Sequence, residues 1–105
     1  MKRMNRKAFF AALEKNNKKG LELIKSKNHD YAGVKNPFRN FRACKVIGLS
    51  PEQGILLRML DKMTRAGNLL KVEQKVKDES IEDTILDLMN YANILLVYRQ
   101  NQRKK

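Results

Sequence analysis

The apolar and polar positions of this 105-residue chain fall into helical periods separated by two polar interruptions. From Asn5 through FFAALEK toward Lys27, the residues Phe9, Leu13, Leu21 and Ile24 recur on one side of a helix, and Asn5 is placed to cap its start. Gly20 and the pair Asn16–Asn17 weaken the middle of this segment, which predicts a break or kink there. From Asn28 to Phe41 the period gives way to NHDYAGVKNPFRNF, a polar and aromatic loop punctuated by Gly33 and Pro37. The stretch from Arg42 to Ile47 is long enough for a turn or two of helix, ended by Gly48.

Ser50 then opens a second long helix, with Pro51 at its first position and Gln53 completing a capping box. Its apolar stripe is Ile55, Leu56, Met59, Leu60, Met63, Ala66 and Leu70. Lys71 to Glu79 reads as a charged, exposed linker. Ser80 repeats the start signal, with Asp83 three residues on as either a capping acid or a site residue, and the helix runs to about Tyr98. On this last helix Ile81, Ile85, Leu88, Ala92 and Leu95 define the expected core side, and Glu82, Asn93 and Gln100 a narrow solvent stripe. Asp83, Asp87 and Asn90 fall on neither, bordered by Leu86, Tyr91, Ile94, Val97 and Tyr98. A helix apolar on two sides is covered on two sides, by its own bundle and by a ligand or another subunit.

The pattern predicts an all-α fold: one domain over residues 1–105, a small bundle of three to four helices, assembled as a homodimer or tetramer. The basic ends, 1–4 and 100–105, are expected to be flexible. No apolar run approaches the roughly 18 residues of a membrane span, and charges interrupt the N-terminus too soon for a signal peptide. A cytoplasmic protein is therefore expected. The lone Cys44 reads as a small packed residue, with no partner for a disulfide or a zinc site.

Polar residues sharpen the picture. Arg58, Asp61, Arg65 and Asn68 share one stripe of the second long helix, as Asp83, Asp87 and Asn90 do on the last. If the two stripes face each other, their carboxylates and guanidinium groups form a pocket suited to a cation, a phosphate, or both. The net charge of +12 is uneven: residues 1–50 hold 13 Lys and Arg against 3 acids, residues 51–98 hold 6 against 8, and the last seven hold 4 against none. Such a surplus attracts nucleic acid or small polyanions, and it also serves plain solubility.

Three readings fit these residues. In the first, Asp61, Asp83 and Asp87 hold Mg²⁺ and act catalytically, Arg58, Lys62 and Arg65 meet nucleotide phosphates, and Tyr31 or Phe41 stacks on a base. The second keeps the pocket for nucleotide capture without chemistry. The third makes the charges an interhelix network and gives the basic ends to DNA or RNA. His29, beside Asp30 and Tyr31, is a candidate base or ligand contact in the first reading and an exposed loop residue in the third.

The order KNHDYAG, NPFRNF, RMLDKMTRAGNLL and DESIEDTILDLMNYA, over about Lys27 to Tyr98, resembles the nucleotide-modification-associated domain of phages, a small all-helical family. More distantly it is similar to the MazG-type all-α NTP pyrophosphatases. The resemblance implies a nucleotide-related role for Asp30, Tyr31, Asn40, Phe41, Asp61, Lys62, Arg65, Asp83, Asp87 and Asn90, with Tyr91 beside them. It also implies a host-cytoplasm setting and, by analogy, the capture of a host's cyclic nucleotide signal as an anti-defence activity. MazG-type enzymes hold magnesium with an ExxE pair and an ExxD pair. Here RMLD at 58–61 puts Arg58 in place of one acid, and Asp83 and Asp87 stand four apart instead of three. Those departures lower the carboxylate count and leave anion binding intact.

Overall fold

The computed structural model describes residues 2–31, 38–72 and 80–103, with the side chains of 28–31 outside that description. The described residues are helical throughout their ordered elements. They form α1 (Arg6–Tyr31), a single-turn α2 (Arg39–Arg42) followed by a 3-10 turn (Ala43–Ile47), α3 (Pro51–Lys71) and α4 (Ile81–Arg103). The expected linker falls largely on 73–79, outside the described residues.

Local chemistry sets the helix starts. Ala8 donates its backbone N–H to Asn5 Oδ1 at 2.8 Å, which opens α1. At α3 the capping box is complete: Gln53 N donates to Ser50 Oγ at 3.1 Å, and Ser50 N donates to Gln53 Oε1 at 2.9 Å. Asp83 N donates to Ser80 Oγ at 3.1 Å at the head of α4. Gly48 ends the 3-10 turn at φ 82°, in the left-handed region that favours glycine.

The two long C-terminal helices run antiparallel. Glu52 at the start of α3 pairs with Arg99 near the end of α4, and Lys62 at mid-helix pairs with Asp87. Ile55, fully buried, centres a cluster with Phe38 and Tyr98, against which Phe41, Met59, Tyr91, Ile94 and Leu95 pack. Phe38 meets Tyr98 edge to face, with ring centroids 5.2 Å apart, and Phe41 meets Tyr91 likewise at 6.3 Å. The 3-10 turn seats Cys44 on α3 at Gly54, where a Cβ would stand 2.6 Å from Cys44 Sγ. Cys44 is a packed free thiol, as its sequence context suggested.

Three expectations need correction. α1 does not break at Gly20 but runs unbroken to Tyr31, because Gly20 is buried against α4 and its missing side chain admits that helix. α4 continues through Arg103, so the basic end is helical over 100–103. The buried face of α4 is only partly the one expected: Leu95 packs on the core cluster and Ile81 and Leu88 are half-buried, but Ile85 and Ala92 lie exposed, and Thr84, Leu86, Asn90 and Tyr98 are the buried residues. α4 carries apolar residues around its whole circumference, and α1 and α3 occupy the side that carries Asp87 and Asn90.

Candidate functional site

α1, α3 and α4 meet around Asp87. Its Oδ2 lies 3.0 Å from Lys62 Nζ of α3, and its Oδ1 lies 3.2 Å from Lys27 Nζ of α1. One carboxylate therefore holds two ammonium groups from two different helices. Burial alone pushes the Asp87 carboxyl up, but hydrogen bonds and charge from Lys62 and Lys27 outweigh it and hold the group below the usual carboxylate range.

An open cleft of about 340 Å³ lies beside this triad, lined by Leu23, Lys27, Lys62, Asp83, Thr84 and Asp87. Its floor is polar where the lysines and aspartates stand and apolar at Leu23. A neighbouring cleft of about 200 Å³ shares Asp83 and is lined further by Asn16, Lys19, Glu82, Ile85, Leu86 and Met89. Asp83 sits on the ridge between the two, in the first turn of α4, where an acid also complements the helix dipole.

Of the residues singled out in the sequence, Lys62, Asp83 and Asp87 come together in the larger cleft. Arg58, Asp61, Arg65 and Asn68 are exposed on α3 and are not among the residues lining it. α3 thus meets Asp87 through Lys62, which lies off that stripe, and the stripe itself does not line the cleft. Asn40 is exposed on α2, whereas Phe41 and Tyr91 are half-buried ring partners in the core cluster. Asn90 is 8% exposed and lies beneath α1, next to Gly20. The side chains of His29, Asp30 and Tyr31 lie outside the described residues.

Lys27, Thr84 and Leu23 are the cleft residues that sequence reasoning missed. Lys27 is one of 13 basic residues in the first half of the chain, and no periodic signal separates it from the rest. Among the described residues, no group of three or more His, Cys, Asp and Glu stands together to hold a metal ion. The charge pattern bears on magnesium directly. With an ammonium group on each oxygen, Asp87 is neutralised, and the cleft as a whole sets two lysines against two aspartates.

Comparison with known proteins gives no assignment: no family model, curated protein or solved structure matches the chain. Among the described residues, no helix is long and apolar enough to cross a membrane.

Proposed function

We propose that the protein binds a nucleotide through its phosphates in the cleft between α1, α3 and α4, with Lys27 and Lys62 as the phosphate-binding groups. The observation that carries this reading is the convergence of these two ammonium groups from separate helices on Asp87, beside a cleft of about 340 Å³. A phosphate entering the cleft competes with Asp87 for both lysines, and Leu23 offers an apolar wall to the rest of the ligand. The choice of a nucleotide among phosphate-bearing anions rests on the resemblance of KNHDYAG, NPFRNF and DESIEDTILDLMNYA to the phage nucleotide-modification domain alone.

Capture is favoured over hydrolysis, because the cleft brings together two carboxylates and one of them is held by lysines. The test is a panel of nucleoside triphosphates and cyclic nucleotides, with and without Mg²⁺, scored for pyrophosphate release and for thermal stabilisation. Stabilisation that persists without the metal and without turnover supports capture. Pyrophosphate release that stops on Asp87→Asn supports the hydrolase instead. Retention of long DNA with no response to any mononucleotide assigns the basic surplus to nucleic acid and removes the cleft from the account.

A further inference from the structure

We infer that the outward side of α3 is the docking surface for a second copy of this chain, packed antiparallel about Met63. The first observation is how little the single chain covers. It exposes 9076 Å², against roughly 6,100 Å² for a compact monomer of this mass. Its radius of gyration is 16.0 Å, against about 13 Å for a compact domain of this length. The surplus, roughly 3,000 Å² per chain, exceeds the roughly 800 Å² that each partner gives to a standard interface.

The second observation is where the uncovered apolar residues stand. Leu56, Leu60, Met63 and Leu70 are 51%, 57%, 57% and 71% exposed, and Gly67 sits between the last two with nothing within 4 Å of a Cβ built on it. Residues 56, 60, 63, 67 and 70 alternate steps of four and three, the repeat that brings one helix against another in a coiled coil. Ile55, Met59 and Ala66 turn inward, and Arg58, Asp61, Arg65 and Asn68 lie on the remaining side, so the seam carries no charge.

The seam also fits itself. Leu56 and Leu70 lie seven residues either side of Met63, and Leu60 and Gly67 lie three before it and four after it. In an antiparallel pair, Met63 meets Met63, Leu56 meets Leu70, and each Leu60 enters the space that Gly67 leaves open. Charge permits the same face: the +12 surplus is carried mainly by the N-terminal half and the tail, and the charged residues of α3 (Arg58, Lys62, Arg65 and Lys71 against Glu52 and Asp61) are not among residues 56, 60, 63, 67 and 70. Two copies meeting through α3 keep their strongly basic regions out of the contact. This inference is independent of what the cleft binds.

The test uses the full chain. Sedimentation of the wild type at micromolar concentration is expected to give twice 12.3 kDa or a multiple of it, with a thermal midpoint that rises with protein concentration. Gly67→Leu, which meets open space within one chain, is expected to weaken association at least tenfold by filling the place of the partner's Leu60. Because a seam variant can lose its fold with its partner, a second measurement uses native-like chains. In a Cys44→Ser background, Met63→Cys is expected to form an intermolecular disulfide on mild oxidation, and Asn68→Cys is not. A folded wild-type monomer with a concentration-independent midpoint overturns the inference. So does cross-linking at residue 68 in preference to 63, or association only with a different protein.

Discussion

Gly20 of α1 approaches Asn90 of α4 so closely that a Cβ on Gly20 would stand 2.6 Å from Asn90 Oδ1 and 3.0 Å from Met89 Cε. Asn90 is buried, and its short side chain has little room to retreat. An alanine in a helix gains about 1 kcal/mol over glycine. Overpacking of this kind costs about 1–3 kcal/mol. Gly20→Ala is therefore expected to destabilise the protein and lower its thermal midpoint by several degrees. In an Asn90→Ala background the 2.6 Å contact is gone and only the flexible end of Met89 has to shift, so Gly20→Ala should become neutral or stabilising. A single Gly20→Ala variant more stable than wild type would show that α1 does not lie against α4 in this way.

Ser50 both accepts from Gln53 N and donates to Gln53 Oε1, so Ser50→Ala removes one half of a reciprocal cap. The expected loss is about 1 kcal/mol, read as a lower urea midpoint at constant slope. Ser80→Ala is expected to act similarly on α4. The two losses should add to within about 0.5 kcal/mol, since the caps belong to different helices and share no partner. An unchanged midpoint for Ser50→Ala would count against the capping box as a stabilising element.

These caps were legible in the sequence because a cap is local: Asn5, Ser50 and Ser80 act on residues three positions away. The all-helical class followed from the same periodicity. Which side of α4 faces inward followed only in part, because the helix is apolar on several sides, and periodicity cannot rank Ile85 and Ala92 against Leu86 and Tyr98. Gly20 signalled a weak point when judged by propensity alone, whereas its position is explained by a neighbour 70 residues away in sequence, Asn90. The site was half legible. Lys62 stood among the candidate phosphate-binding residues, but Lys27 reaches Asp87 across 60 residues, a separation at which spacing carries no information.

Acid should weaken the fold through Asp87. Its carboxyl titrates below the ordinary value of about 3.9 in the folded chain. The unfolded chain therefore takes up the proton first as pH falls. The stabilisation from Lys62 and Lys27 is present in full above the ordinary value and is lost as pH drops through the folded value. Unfolding free energies measured from about pH 6 to about pH 3 should fall more steeply for wild type than for Asp87→Asn. Near neutral pH, Asp87→Asn is expected to cost roughly 1 kcal/mol, since both lysines remain partly solvated. Parallel pH curves for the two proteins would show that the triad adds nothing to stability.

The claim that Lys27 and Lys62 form a phosphate-binding pair is tested most directly by calorimetric titration of a nucleoside triphosphate into wild type, Lys27→Met, Lys62→Met and Arg99→Met. Arg99 pairs with Glu52 at the far end of α4 and serves as a charge-matched control. The account predicts binding to wild type and to Arg99→Met with similar Kd, and at least tenfold weaker binding to each lysine variant, a loss of about 1.4 kcal/mol or more. Equal affinity across all four proteins, or no binding by wild type to any triphosphate or cyclic nucleotide, would contradict it.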